Sequence, residues 1–223
     1  EPSLDYLVAK LPRFPFDKFV EANKALYTQM KATGEVMSIG KTIEEWQLKG
    51  IRSLEIGAYH LHLPKFDSWT VQDLLDYVRI GTDDRIFAIA QLLRLGCSID
   101  DIADATDINR FFVQKMEHII AIENDLKASP NDLQKLINAK KFGFSDRAIA
   151  GLWEKEEIEI FRMRMENGIF PVYKMISTCP QEYKSYIPYF YSTYGEGNES
   201  YISDKRKIIV LGSGPIRIGQ GVE

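Results

Sequence analysis

The 223 residues carry 28 Lys and Arg against 32 Asp and Glu, a formal net charge of −4, with 45% hydrophobic and 27% charged side chains. That balance is typical of a soluble globular chain of one or two domains and argues against a dedicated nucleic-acid binder, which would show a basic face. No window approaches 18 consecutive apolar residues, so nothing reads as a membrane span, and Cys97 and Cys179 lack any CxxC spacing. They read as reduced thiols of a cytoplasmic protein, with a disulfide as the alternative.

In chain order, Tyr6–Lys10 reads as a strand, Asp17–Asn23 as a short helix and Glu35–Ile39 as a second strand after Gly34. Thr42 followed by Glu45 has the pattern of a capping box and opens an amphipathic helix to about Ile56, with Trp46, Leu48, Ile51 and Leu54 inward and Gly57 as its stop. From Thr70 to Gly168 the apolar periodicity is helical almost throughout. Thr70 caps the first helix of this block, Arg85–Leu95 ends at Gly96, Ser98 caps Ile99–Ala105, and Asn109 opens Phe111–Lys127. Ser129 and Pro130 read as N-cap and first helical residue of Asn131–Lys141. Ser145 caps Asp146–Trp153, and Glu156–Asn167 ends at Gly168.

Inside this block Leu95–Ala103 aligns with Phe142–Ala150 at an offset of 47, matching Gly96 with Gly143, Ser98 with Ser145, Ile102 with Ile149 and Ala103 with Ala150. Two such units, each helix, Gly stop, Ser cap, short helix and long helix, can bury their apolar stripes against each other as an orthogonal bundle. Phe170–Ile176 and Tyr189–Tyr194 are aromatic and β-branched, hence extended. Ile208–Leu211 has the composition of a buried parallel strand and leads into Gly212, Gly214, Gly219 and Gly221. A crossover helix is expected next and the sequence stops instead, so the chain reads as a piece of a longer polypeptide.

Several constellations could carry chemistry. The glycine-rich end could cradle an anion with backbone N–H groups, or serve only to turn the chain. Its spacing is neither GxGxxG nor a P-loop. Ser98–Ile120 has helix-turn-helix proportions, but Phe111 and Phe112 occupy the reading positions and Asp100, Asp101 and Asp104 would repel phosphates. His60 and His62 lack companions at metal-ligand spacing and read as loop histidines, and His118 reads as a surface or half-buried residue rather than a general base. Tyr183, Tyr186, Tyr189, Phe190, Tyr191 and Tyr194 could stack bases, but packing between subdomains needs the same residues. Phe112, Met116 and Ile120 form one stripe of the long helix with Phe111 beside it, an apolar arc that fits either an intermolecular face or cover by the second repeat.

Three segments together resemble the large subunit of carbamoyl-phosphate synthetase. Glu1–Tyr6, Pro12–Phe14, Gln29–Gly40 and Arg52–Gly57 are similar to the closing part of that family's first ATP-grasp half. Pro171–Lys174, Thr178, Cys179 and Tyr191–Tyr194 resemble the exit from its helical oligomerisation domain, and Val210–Glu223 resembles the first strand and loop of the second half. The resemblance implies a mainly α fold: a two-repeat helical oligomerisation domain over residues 58–200, flanked by incomplete α/β pieces of two ATP-grasp halves at 1–57 and 201–223. It implies a parent ligase that makes carbamoyl phosphate for arginine or pyrimidine synthesis from bicarbonate, glutamine-derived ammonia and two ATP, with Mg²⁺ or Mn²⁺. The implied partners are the flanking ATP-grasp domains, a glutamine amidotransferase subunit and further copies of the chain, with neither nucleic acid nor membrane. No catalytic, cofactor or metal residue of the family falls on a position here, so the piece itself is expected to be catalytically silent. The loop with Thr33, Gly34, Glu35 and Met37 and the loop with Gly212, Gly214, Arg217 and Gly219 are expected to line a substrate cavity or ammonia passage. Phe111, Phe112, Met116 and Ile120 are the candidate interface. A stand-alone binding module with a glycine-loop anion site is the other function the residues allow.

Overall fold

The computed structural model describes residues 5–176, 189–212 and 214–216. The described residues are mainly helical, as expected. β1 (Leu7–Arg13) pairs antiparallel with β2 (Gly34–Gly40), Leu7 opposite Gly40 and Arg13 opposite Gly34. α1 (Ile43–Ser53) follows, its N-terminus capped by the Thr42 hydroxyl, which accepts from the Glu45 N–H at 3.1 Å. Gly50 lets α1 lie on β1: a Cβ there would come within 2.6 Å of Leu11 Cδ1. α1 stops earlier than the sequence suggests, because Glu55 and not Gly57 takes the first left-handed position, at φ 53°.

The helical block runs through α2 (Val71–Val78), α3 (Arg85–Arg94), α4 (Ile99–Thr106), α5 (Arg110–Ala128), α6 (Leu133–Lys141), α7 (Asp146–Leu152) and α8 (Glu157–Glu166). β3 (Val172–Met175) and β4 (Phe190–Thr193) then pair antiparallel, Val172 opposite Thr193. α5 is the spine. Val113, Ile119 and Leu126 are fully enclosed, and the Trp153 indole N–H donates to the Leu126 carbonyl at 2.8 Å. Among the described residues no helix is long and apolar enough to cross a membrane.

The internal duplication is present in the backbone. α3 ends with the Cys97 N–H on the Leu92 carbonyl and the Gly96 N–H on the Leu93 carbonyl, at 3.0 and 3.1 Å. α6 repeats this 47 residues on, Phe144 to Ala139 and Gly143 to Lys140, at the same two distances. These are paired Schellman caps, which require positive φ at the glycine, and Gly96 and Gly143 have φ of 80° and 93°. Ser98 and Ser145 cap α4 and α7, and Ile102 and Ile149 are both fully buried. The offset persists beyond the motif, since Asp107 and Glu154 close the two short helices at φ 56° and 54°.

Three expectations need correction. Asp17–Asn23 forms turns, not a helix: Phe19 and Val20 are exposed, and an isolated helical turn with nothing to pack on is unstable. α6 is capped by Asp132, whose carboxylate accepts from the Gln134 and Lys135 N–H groups, so Ser129 and Pro130 lie in the preceding turn. Ile208–Leu211 pairs with no strand and its side chains are 86–89% exposed, because a parallel strand is stable only between neighbours that cover it.

Candidate functional site

Two expected cavity loops meet. Glu35, in β2, donates its N–H to the Ile216 carbonyl and accepts from the Ile216 N–H, both at 3.0 Å, which adds the glycine-rich loop as an antiparallel bridge beside the sheet. The register of β1 and β2 places Lys10 near Glu35, and its ammonium donates to Oε1 at 2.7 Å. The resulting cavity of about 550 Å³ is lined by Lys10, Glu35, Met37, Arg52, Glu55, Gly214 and neighbours. Gly214 has φ +81°, a left-handed backbone that favours glycine, and a Cβ there would press on the Glu55 carboxylate, 2.4 Å from Oε1, which can swing aside.

Of the residues expected at this cavity, Glu35, Met37 and Gly214 line it. Gly34 is buried in the strand pair opposite Arg13, and Thr33 turns its hydroxyl to the Gly34 carbonyl. Gly212 is exposed and away from the cavity, while Arg217 and Gly219 fall outside the described residues. Among the described residues two cations, Lys10 and Arg52, face two carboxylates, Glu35 and Glu55, so these side chains supply no surplus charge to concentrate an anion. Arg52 also reaches across to the helical block, donating from Nη1 to the Gly143 carbonyl at 2.7 Å; burial lowers its pKa, opposed by Glu45. The arrangement can seat a small polar molecule. Among the described residues no group of three His, Cys, Asp or Glu could hold a metal ion.

The candidate interface residues separate into two environments. Phe111 and Phe112 are 48% and 47% exposed, whereas Met116 and Ile120 are 5% and 4% exposed. Met116 and Ile120 are therefore core rather than an outer face, the covered one of the two outcomes the sequence allowed, because α5 has helices on several sides. Phe112 and Met116 together line an apolar cavity of about 350 Å³ bounded by Leu11 of β1, Trp46 of α1 and Ile86 of α3.

The loop histidines have company that the sequence did not reveal. His62 Nε2 is 2.9 Å from Asp67 Oδ1, and the His60 ring lies 5.6 Å from that of His62. Burial pushes the His60 pKa down to about 4, against the attraction of Glu123. Glu123 is itself enclosed, accepting from Arg94 Nε and Nη2 at 3.1 and 2.6 Å and from Lys127 at 2.6 Å. Burial alone would raise its carboxyl, but the Arg94 hydrogen bonds and charge outweigh that and take it to about 2. Arg94, Lys127 and Arg147 come from α3, α5 and α7, so only the Glu123–Lys127 spacing of four was visible in the chain. His118 sits half-exposed with Nδ1 2.8 Å from the enclosed Glu44 carboxylate and its ring edge-on to Phe142. Burial raises the Glu44 carboxyl, but the His118 contact, its own backbone and Lys115 leave it below the ordinary value.

Of the aromatic set, Tyr191 is buried, its ring 5.8 Å from that of Tyr6 and under the Lys49 ammonium. Tyr194 lies beneath Lys140 and Arg164. Both are packing roles. Tyr189 and Phe190 are exposed, and Cys179, Tyr183 and Tyr186 fall outside the described residues.

The family model described as carbamoyl-phosphate synthetase large chain, oligomerisation domain, matches residues 35–168, more than half of the chain. The match begins at Glu35, the residue bridged to Ile216, and ends at Gly168, the stop of α8. The chain belongs to the family of carbamoyl-phosphate synthetase large-chain oligomerisation domains.

Proposed function

We propose that this chain acts as a self-associating spacer between two ATP-grasp halves of the ligase large chain and contributes no catalytic group of its own. One observation carries the reading: the Glu35–Ile216 bridge brings together the backbone entering the helical block and the backbone leaving it. A block whose entry and exit lie side by side can present its outer surface to another copy while holding its flanks in fixed relation. On this reading residues 1–57 close the first ATP-grasp half and 201–223 open the second. The whole enzyme would make carbamoyl phosphate in the cytoplasm from bicarbonate, amidotransferase-supplied ammonia and two Mg-bound or Mn-bound ATP. Among the described residues the charges around the Gly214 cavity balance, which favours the spacer over the alternative, a stand-alone anion-binding module, because nucleotide phosphates need a cationic clamp.

Light scattering on the 223-residue chain together with calorimetric titration of Mg-ATP tests the proposal. Concentration-dependent dimers or larger assemblies without ATP binding are expected. A chain that stays monomeric at high micromolar concentration, or that binds or hydrolyses ATP, overturns it.

A further inference from the structure

A second cavity, which shares no lining residue with the first, has a charge asymmetry that the first lacks among the described residues. It is a cleft of about 600 Å³ between the loop after α1 and helices α3, α5 and α7. Three cations border it, Arg94, Lys127 and Arg147, against two carboxylates, Glu123 and Asp67. Both carboxylates are already engaged, Glu123 by Arg94 and Lys127 and Asp67 by His62. Arg147 is the uncommitted charge. Its guanidinium lies 3.8 Å over the Tyr59 ring, and no ion pair joins it to a carboxylate among the described residues. In a chain of net charge −4, a pocket with a surplus cation is not a reflection of average composition.

Gly151 is the second, independent sign. It lies in the last turn of α7 with φ outside the left-handed region, so no left-handed turn calls for it, and a Cβ built on it meets nothing within 4 Å. Glycine in a helix carries a conformational-entropy cost relative to alanine. Neither backbone nor packing accounts for that cost here. Gly151 does border the cleft, where the missing side chain keeps one wall at backbone level.

We propose that this cleft binds a small tetrahedral oxyanion, phosphate or the phosphoryl end of a small metabolite, with Arg147 as the principal contact and Lys127 in support. A guanidinium held 3.8 Å over an aromatic ring is restrained in place, and its paired N–H groups can match two oxygens of a phosphoryl group. His60, neutral at physiological pH, adds one donor and one acceptor without changing the charge. The cleft exceeds the volume of a bare phosphate, which leaves room for the organic part of a phosphomonoester. The inference is independent of the spacer reading above.

The test is amide-resolved NMR titration of the 223-residue chain with inorganic phosphate and, separately, ribose 5-phosphate, against sodium chloride at matched ionic strength. Saturable shifts at Tyr59, Arg147 and Gly151 are expected with millimolar ligand. Tighter binding of the sugar phosphate identifies a phosphometabolite site, and equal binding identifies phosphate itself. Arg147→Gln should weaken binding at least tenfold, about 1.4 kcal/mol. Gly151→Leu should fill the opening and abolish binding while leaving the thermal midpoint unchanged or higher, since leucine favours the helix. Absence of saturable shifts, or retention of wild-type affinity in both folded variants, overturns the proposal.

Discussion

Arg164 of α8 grips Asp146 of α7 through two nitrogens, Nε at 3.1 Å and Nη2 at 2.9 Å from Oδ2, while Lys140 of α6 reaches Oδ1 of the same carboxylate at 2.7 Å. One nearly enclosed anion thus joins three helices of the second repeat, and Tyr194 beside β4 lies under both cations. Burial would raise the Asp146 carboxyl, but its two partners hold it below the ordinary value, and burial pushes Lys140 down to about 8 despite Asp146.

Removing the anion should therefore be far worse than removing one cation. Asp146→Asn leaves two buried cations uncompensated and is expected to cost about 3 kcal/mol or more. Lys140→Met keeps the Arg164–Asp146 pair and fills similar volume, so it should change stability by less than about 1 kcal/mol or raise it. Urea unfolding of the two variants decides, and equal losses would show that the network is not centred on Asp146.

The two repeat glycines should respond unequally to alanine. At Gly96 the added Cβ meets nothing, so the expected penalty is the left-handed backbone alone, about 1 kcal/mol. At Gly143 the same Cβ would lie 2.8 Å from the Glu45 Cα and 3.0 Å from its carbonyl oxygen, atoms that cannot rotate away. Gly143→Ala should cost about 3 kcal/mol in total. Thermal and urea unfolding of the pair, measured side by side, would show equal losses if α1 were not seated on the second repeat.

Acid should destabilise the fold in two stages. His60 has a folded pKa of about 4 against an ordinary 6.5, so between those values the unfolded chain binds a proton that the folded one refuses, and stability falls as pH drops. Glu123 has a folded pKa of about 2 against an ordinary 4.5; its contribution is present above 4.5 and is lost as pH falls toward 2. Each shift corresponds to on the order of 3 kcal/mol. His60→Asn should flatten the decline between pH 6.5 and 4 and leave the lower one in place. An unchanged upper limb in that variant would show that His60 is not its source.

On α5 the two aromatic positions and the core position below them should part company. Phe112→Asp should remain folded and, where the wild type self-associates, shift it to monomers. Met116→Asp buries a carboxylate without a partner and should unfold the chain. Circular dichroism with light scattering separates the outcomes, and a Phe112→Asp variant that associates like wild type removes that residue from the interface.

Much of the helical block was legible because its signals are local. Ser98 and Ser145 reveal caps, Gly96 and Gly143 reveal stops, and their shared spacing reveals the repeat, all within windows of about ten residues. The Asp132 cap was hidden by Ser129–Pro130, an equally good local signal whose turn the chain uses differently. The burial of Met116 and Ile120 could not be read, since it depends on which helices surround α5. The cleft of Arg94, Lys127 and Arg147 was hidden for the same reason, its cations coming from three separate helices.

The bridge between Glu35 and Ile216 joins residues 181 apart in sequence (216 minus 35), whereas each Schellman cap spans only five. Closing so long a loop carries a conformational-entropy cost that local helical contacts do not face. Assembly order follows: the repeats can form while the chain is still growing, and the bridge must wait until Ile216 has been made. Opening should run in reverse, with the Glu35 and Ile216 amides exchanging with solvent long before those of α5. The latch is thus the last part of the molecule to set and the first to give, so the flanks take up their fixed relation only once the helices between them are in place.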